Sequence, residues 1–404
     1  MRSATPRRAE LVEPIPFTVV EITPQARAAS DRVLASGWIT TGRETLAFQR
    51  EWADQAGAAQ CVMVSSCTAA IELCLRALEL PPNSKVLTTT TTFCGVVNAI
   101  LAAGYRPVFA DLAHPGEAAD VADSYMVSER TVREAADRAG GVDAMVVLHF
   151  AGHPADVEAL ARAARLPLSR VLEDAAHGIG TSVGGRVVGG ISQATCFSFY
   201  PTKNLPMPEG GAITTDDAAF AAKLTALRLH GMTADAWKRY LPGGSWQYTV
   251  AARGMKANMT DVQAAIGREQ LKHLPRWQAR REEIRARYDK QLAGIPGLGL
   301  PRPTKRGRSA WHLYVVRVRP EFGMARDDLI AYLTERGVAT SVHFIPAHTM
   351  PAYAGFAPPG GLPNAEAVFE EVVSLPLYPL LSDAQVDRIC AVIGQAHADA
   401  GGAS

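Results

Sequence analysis

One stretch of the sequence carries most of the information about the fold: residues 197–204 read Phe-Ser-Phe-Tyr-Pro-Thr-Lys-Asn. Its apolar beginning belongs to a run that predicts a buried strand at residues 195–199. Lys203 lies just beyond that strand, where layered α/β proteins bind their ligands. Burial among apolar and aromatic neighbours would lower the pKa of Lys203 and favour the neutral, nucleophilic amine. A solvated surface lysine is the alternative interpretation.

On both sides of this stretch, short apolar runs alternate with helical patterns. The runs predict strands at residues 61–65, 85–90, 107–112, 144–150, 170–175, 195–199 and 212–215. Apolar residues at helical spacing mark residues 68–80, 128–139 and 154–165. Strands that are apolar on both faces are typical of a parallel sheet covered by helices. We therefore predict a three-layer α/β domain with a mainly parallel central sheet.

The pattern changes near residue 260. Residues 261–288 predict one long charged helix, and residues 311–318 alternate like a half-exposed strand. Helical patterns follow at residues 327–336, 366–373 and 383–397. We predict an N-terminal arm at residues 1–30, a large domain at residues 31–260 and a smaller C-terminal α+β domain at residues 261–404. The arm is expected to fold back onto the small domain.

Composition excludes several classes of protein. The 404 residues carry 41 basic and 40 acidic side chains, a net charge of +1, which argues against a nucleic-acid or membrane-surface protein. The sequence contains no run of about 18 apolar residues, so no transmembrane helix is predicted. The six cysteines show no metal-ligand spacing, so no metal site is predicted and buried thiols in a reducing cytoplasm are expected. A nucleophilic amine must come from only eight lysines.

Residues 64–68, Val-Ser-Ser-Cys-Thr, connect a predicted strand to a predicted helix. Free backbone N–H groups and small hydroxyls at a helix start suit a phosphate. An ordinary helix cap by Ser66 or Thr68 is the alternative.

A second polar group follows the strand at residues 170–175. Asp174 is placed to hold a protonated ring nitrogen, and His177 to hydrogen-bond a ring oxygen. The alternatives are a helix cap for Asp174 and a satisfied structural histidine for His177.

An aromatic residue, Phe93, follows a strand rich in threonine. It could stack on a planar ring, although a place in the core is the alternative. Lys203, a phosphate turn, a carboxylate and an aromatic ring together describe a site for pyridoxal 5'-phosphate (PLP), with Lys203 as the Schiff-base lysine.

Eight ordered motifs also resemble one family. They are GWITTG (37–42), SSCT (65–68), EDAAH (173–177), SFYPTKN (198–204), RLHG (228–231), MTDVQAAIG (259–267), VHFIP (342–346) and LPLYP (375–379). Over residues 36–393 the sequence is similar to the DegT–StrS group of sugar aminotransferases, within the fold-type I, aspartate aminotransferase-like PLP enzymes. The large domain would then bind PLP.

The resemblance implies a role for each matching residue. Lys203 and Asp174 are the catalytic residues: Lys203 binds PLP covalently and Asp174 pairs with the ring nitrogen. The other implied cofactor contacts are His177 at the phenolic oxygen, Phe93 on the ring face, Cys67, Thr68 and Ser198 at the phosphate, and Lys256 at the partner subunit's phosphate. A homodimer with shared active sites is therefore implied.

The activity implied by the resemblance is transfer of an amino group from glutamate or glutamine to a ketosugar, which is expected to be nucleotide-linked, with pyridoxamine 5'-phosphate as the intermediate cofactor form. The candidate substrate contacts are Thr41, Trp246, Tyr248, His343 and His348. Core or structural roles are the alternatives for the aromatic residues and the histidines.

Other functions stay open from the sequence. A keto-inositol acceptor is the close alternative, and a PLP-dependent sugar dehydratase or a non-catalytic PLP protein are further ones. Family dehydratases have histidine at the lysine position, so Lys203 favours transamination. Three departures from the family pattern are Cys67 in the phosphate turn, the loop at residues 205–208 and the long acidic segment at residues 113–125. The last two bear on the substrate and not on the cofactor.

Overall fold

A computed structural model of the chain describes residues 13–117, 125–232 and 248–401. Its largest element is a seven-stranded sheet in the order β1-β9-β8-β5-β4-β2-β3. These strands are β1 (Gln60–Val64), β2 (Lys85–Thr89), β3 (Arg106–Ala110), β4 (Ala144–Leu148), β5 (Val171–Asp174), β8 (Ala194–Ser198) and β9 (Gly211–Thr215). Strands β3, β2, β4, β5 and β8 pair in parallel, while β9 runs antiparallel to both β8 and β1. The predicted mainly parallel sheet is confirmed.

Helices cover both faces of this sheet. They are α1 (Pro24–Ser36), α2 (Arg43–Ala56), α3 (Cys67–Ala77), α4 (Cys94–Ala102), α5 (Glu129–Arg138), α6 (Val157–Ala163) and α7 (Ala218–Leu227). Neighbouring residues of one strand enter different cores: Val86 packs in the cluster with α3 and α4, and Leu87 in the cluster with α5 and α6. Burial on both faces explains why the strands read as continuous apolar runs.

The C-terminal part forms a second core around a small antiparallel sheet. Its strands are β10 (Leu298–Gly299), β12 (Tyr314–Val318) and β13 (Val372–Leu375), paired in that order. Its helices are α9 (Leu274–Leu292), α10 (Arg326–Glu335), α11 (Pro363–Glu371) and α12 (Asp383–Gly401). A third sheet joins β6 (Ser182–Val183), β7 (Arg186–Val187) and β11 (Gly307–Arg308).

The single helix predicted for residues 261–288 is wrong. Two helices occupy this stretch, α8 (Asp261–Leu271) and α9, which begins at Leu274. Pro275 lies in the first turn of α9, where its missing N–H costs nothing, whereas inside a continuous helix it would remove a hydrogen bond. Helix α8 packs against α1 and α2. The predicted domain boundaries at residues 30 and 260 stay predictions.

The helix predicted for residues 366–373 ends earlier than expected. Helix α11 stops at Glu371, and the next four residues form strand β13, in which Val373 pairs with Val316 of β12. The β-branched residues of β13 are buried in the small sheet, so tertiary pairing overrides the helical pattern.

The N-terminal segment crosses between the two cores. Ile15 is buried in the C-terminal core and its N–H donates to Gly337 O at 2.7 Å. Thr23 caps α1, whose neighbour is α8. Residues 13–23 therefore link the small-sheet core to the large one.

Candidate active site

A cavity of about 610 Å³ opens at the carboxyl ends of β5 and β8, beside the start of α3. Eight residues predicted from the sequence line it: Cys67, Thr68, Phe93, Asp174, His177, Ser198, Lys203 and His343. These residues come from five separate segments of the chain. The sheet topology brings them together because parallel strands end at one edge.

One end of the cavity is the start of helix α3. Ser66 caps the helix, and its Oγ accepts the N–H of Ala69 at 3.1 Å. The N–H groups of Cys67 and Thr68 therefore head a helix at the cavity wall, an arrangement that suits an anion. A side chain at Gly211 would place its Cβ 2.5 Å from the carbonyl carbon of Ser66, so glycine is needed where β9 meets this turn.

Lys203 and Asp174 face the same cavity. Burial lowers the pKa of Lys203 to about 8, although the negative charge of Asp174 opposes this shift. Burial also raises the pKa of Asp174, opposed by the N–H of Ala176, which donates to Asp174 Oδ1 at 2.9 Å, and by the charge of Lys203. A second contact to the same oxygen comes from Cys67 Sγ at 3.7 Å. The site thus holds a partly desolvated amine opposite an oriented carboxylate.

His177 is held in one tautomer. The N–H of Ala151 donates to His177 Nδ1 at 3.2 Å, so the proton of the neutral ring is on Nε2. Burial lowers the pKa of His177, and the positive charge of Lys203 lowers it further. The ring stacks on Phe344 at a centroid distance of 5.9 Å and contacts the tilted ring of His312 at 4.4 Å. His177 therefore offers a neutral hydrogen-bond donor.

Phe93 lies at the mouth of the cavity. It precedes α4 and its side chain is 61% exposed, so the core interpretation is excluded. A large exposed ring on a cavity wall is available to cover a planar ligand.

Several lining residues were not predicted from the sequence. They are Phe17, Thr18, His312 and Phe344. The polar residue next to Lys203, Asn204, could have indicated a buried polar partner such as His312. In the structure, Asn204 Oδ1 accepts a hydrogen bond from His312 Nδ1 at 3.0 Å. No comparable signal points to Phe17, which is almost 190 positions from the lysine.

A buried polar pair supports Asp174 from the other face of β5. His149 Nε2 donates to Glu173 Oε2 at 2.9 Å, and both side chains are fully buried. Glu173 Oε1 also accepts from the hydroxyls of Ser192 and Thr195. Since alternate strand residues point to opposite faces, this network fixes the strand end that presents Asp174.

The remaining predicted residues that the structure describes lie outside the cavity. His348 is buried between Thr90 Oγ1 at 2.7 Å and Glu366 Oε1 at 2.8 Å. Thr41 Oγ1 donates to Met259 O at 2.6 Å, and Tyr248 and Lys256 are exposed. Trp246 lies outside the described residues. The substrate roles of these residues, and the role of Lys256 toward a partner, stay predictions.

Comparisons with known proteins agree with this geometry. The model of the DegT/DnrJ/EryC1/StrS aminotransferase family matches residues 20–394. The spore coat polysaccharide biosynthesis protein SpsC of Bacillus subtilis is 40% identical over 380 residues, which cover 93% of this chain and 95% of SpsC.

Solved structures give the same picture. DesV of S. venezuelae has a TM-score of 0.83 at 33% identity and covers 95% of this chain and 99% of its own. A protein of Streptococcus pneumoniae provisionally described as a sugar aminotransferase, solved in a PMP form, has a TM-score of 0.85 at 30% identity, covering 96% of this chain and all of its own. The chain belongs to the DegT/DnrJ/EryC1/StrS aminotransferase family and is an aminotransferase.

Proposed function

We propose that this aminotransferase binds PLP at Lys203 and converts a ketosugar, nucleotide-linked in our proposal, into an amino sugar, with glutamate or glutamine as the amino donor. One observation carries the proposal: Lys203, with a pKa lowered to about 8, shares a cavity with the buried carboxylate of Asp174. A lysine nucleophile that is substantially neutral near pH 8 is the group that a carbonyl cofactor requires.

The residues of the cavity match the parts of PLP. The helix start at Cys67 and Thr68, with the Ser198 hydroxyl, suits a phosphate. Asp174 suits a protonated ring nitrogen, and the Nε2–H of His177 suits a phenolic oxygen. Support from relatives comes from the pneumococcal protein, which has been solved in PLP and PMP forms.

When bound, PLP supplies an electron sink that stabilises the negative charge developing on a donor's α-carbon. The chain supplies the proton transfers. Lys203 Nζ would take the proton from the donor's α-carbon and later give a proton back, which is general acid–base catalysis worth roughly 10²–10⁴-fold. Asp174 would hold a positively charged ring nitrogen, and the Nε2–H of His177 would orient the ring.

The acceptor is proposed from the relatives and from the cavity wall. The name of SpsC refers to spore coat polysaccharide biosynthesis, and an amino sugar is a fitting product for such a pathway. His343 lines the cavity, with Nδ1 held by Ser374 Oγ at 2.8 Å. Burial lowers the pKa of His343 to about 4, so a neutral imidazole faces the acceptor.

A keto-inositol is the second candidate acceptor. Among the described residues that line the cavity, Lys203 is the one lysine and there is no arginine. A pyrophosphate prefers cationic partners, so this lining favours an uncharged ring inside the cavity. A nucleotide group would then lie outside it.

We further propose a homodimer in the cytoplasm. Lys256 is exposed and outside its own chain's cavity, as expected if it serves the partner subunit's phosphate. The cysteines that the structure describes are all free thiols, which is consistent with a reducing compartment. No helix within residues 13–117, 125–232 and 248–401 is long and apolar enough to span a membrane.

The proposal is tested in two half-reactions. The PLP-loaded protein is mixed with glutamate, and loss of the visible absorbance with formation of 2-oxoglutarate is the expected result. The pyridoxamine form is then offered a nucleoside-diphosphate 4-ketohexose or a keto-inositol. Recovery of the absorbance with one of them identifies the acceptor class. If the protein reacts with neither glutamate nor glutamine, the proposed function is contradicted.

A further inference from the structure

The N-terminal segment forms part of the cavity wall. We define residues 16–20, Pro-Phe-Thr-Val-Val, as the N-terminal strap. Phe17 and Thr18 line the same cavity as Lys203, whereas Val19 and Val20 are 40% and 39% exposed. One part of the strap therefore faces the site and the next part faces solvent.

The strap is fastened on the side of the small sheet. The N–H of Ile15 donates to Gly337 O at 2.7 Å, and the N–H of Ala339 donates to Ile15 O at 3.0 Å. Ile15 is 1% exposed and packs in the C-terminal core. This end of the strap is fixed by both backbone pairing and burial.

The other end is fastened to α8 and α9. Gln270 Nε2 donates to Glu21 O at 2.7 Å, and the N–H of Thr23 donates to Gln270 Oε1 at 3.2 Å. Trp277 Nε1 donates to Glu21 Oε2 at 3.0 Å. Between these two anchors, the described part of the chain shows no backbone hydrogen bond to the strap. The middle can therefore adjust locally while its ends stay in place.

The inner side of the strap has a defined chemistry. The ring of Phe17 stacks on His343, with centroids 5.9 Å apart and planes inclined by 25°. His343 in turn feels the charge of Lys203, so the wall and the lysine belong to one site. Phe17 offers an apolar ring face and Thr18 a hydroxyl that can donate or accept. Together they suit a ring that carries both C–H faces and hydroxyl groups.

We propose that the N-terminal strap is a specificity element that contacts the acceptor substrate through Phe17 and Thr18. This inference rests on the proposed function, since it concerns the hydroxylated ketone of the second half-reaction. The amino donor is a small flexible acid and does not need this wall. Loss of the Phe17 ring therefore affects acceptor binding more than the donor half-reaction.

The test compares Phe17→Ala and Phe17→Leu with the matched control Val19→Ala, which alters the outward side of the same strap. Each PLP-loaded variant is first converted with glutamate, which also serves as the control for folding. The pyridoxamine forms are then titrated with whichever probe the wild-type protein accepts, the nucleoside-diphosphate 4-ketohexose or the keto-inositol.

We expect Phe17→Ala to raise the half-saturating acceptor concentration roughly tenfold or more, as expected for loss of a buried aromatic contact. Phe17→Leu should have a smaller effect on the same concentration. Both Phe17 variants should react with glutamate at the wild-type rate. Val19→Ala should match the wild type in both half-reactions. An unchanged acceptor titration for Phe17→Ala, an equal effect of Val19→Ala, or an equal slowing of both half-reactions would overturn the strap proposal. Failure of the wild-type glutamate reaction would instead overturn the proposed function.

Discussion

The floor and the wall of the cavity are built in different ways. The floor, with Asp174, Ser198 and Lys203, comes from strand ends and the turns that follow them. The wall, with Phe17, His312 and His343, comes from segments at both ends of the chain. The floor therefore depends on local geometry that any parallel sheet provides, whereas the wall depends on how distant segments pack. In our proposal, the cofactor therefore binds at the floor and the wall selects the substrate.

The largest expected effect is at the floor. Lys203→Ala should slow amino transfer from glutamate by at least roughly 10²–10⁴-fold, because it removes the general base. The matched control is Lys223→Ala, since Lys223 forms a surface ion pair with Glu79 at 2.8 Å. Single-turnover absorbance measurements check this, and a Lys203→Ala rate close to that of the control would contradict the role of the floor.

Asp174→Asn should be nearly as harmful, at roughly 10²-fold or more in the glutamate rate, because it removes an oriented buried charge. A second readout does not need the cofactor. The charge of Asp174 raises the pKa of Lys203, so Asp174→Asn should lower that pKa below about 8 in cofactor-free protein.

The pH dependence of amine labelling at Lys203 measures this shift. Asp217→Asn is the control, since Asp217 caps α7 and does not line the cavity. A labelling midpoint that moves upward in Asp174→Asn would show that the two groups do not interact as the structure indicates.

The two histidines predicted as substrate contacts should behave differently, since His343 lines the cavity and His348 lies outside it. His343→Ala should weaken acceptor binding, by roughly tenfold if one hydrogen bond is lost, with little change in stability. His348→Ala should instead lower the free energy of unfolding by about 1–3 kcal/mol, because it leaves the buried hydroxyl of Thr90 without its side-chain partner and removes the hydrogen bond to the half-exposed Glu366. Denaturant unfolding and acceptor titration of both variants separate these roles. Equal effects on acceptor binding would restore His348 as a substrate residue.

The last expected effect concerns stability without cofactor. The pKa of Lys203 is about 8 in the folded protein, below its ordinary value of 10.5. Below pH 8 the charged amine is therefore buried at a cost, and Lys203→Met should stabilise the cofactor-free protein by up to roughly 3 kcal/mol.

The gain in Lys203→Met should shrink as the pH rises from 8 toward 10.5, because the unfolded chain then binds more protons at Lys203 than the folded one. Denaturant unfolding at several pH values measures it. A gain that is constant over this range would show that burial of the amine does not carry the effect.

The same contrast explains what could be predicted from the sequence. The sheet and the floor residues could be predicted because apolar runs mark the strands, Asp174 ends one of these strands and Lys203 lies in the turn that follows another. The break between α8 and α9 could have been found from Pro275. Phe17 could not be found, because its place depends on the pairing of Ile15 with the segment at Val338, a contact between distant residues. His343 and His348 lie in the same short segment of the sequence. Only the packing of the folded chain shows that His343 lines the cavity and that His348 does not.

Reductive trapping tests the central claim most directly. PLP is added to the wild-type protein, the adduct is reduced with borohydride, and the labelled peptide is identified by mass spectrometry. The account predicts a single modified lysine, Lys203, and no modification in Lys203→Ala. Labelling of another lysine such as Lys256, or no stable adduct in the wild-type protein, would contradict it.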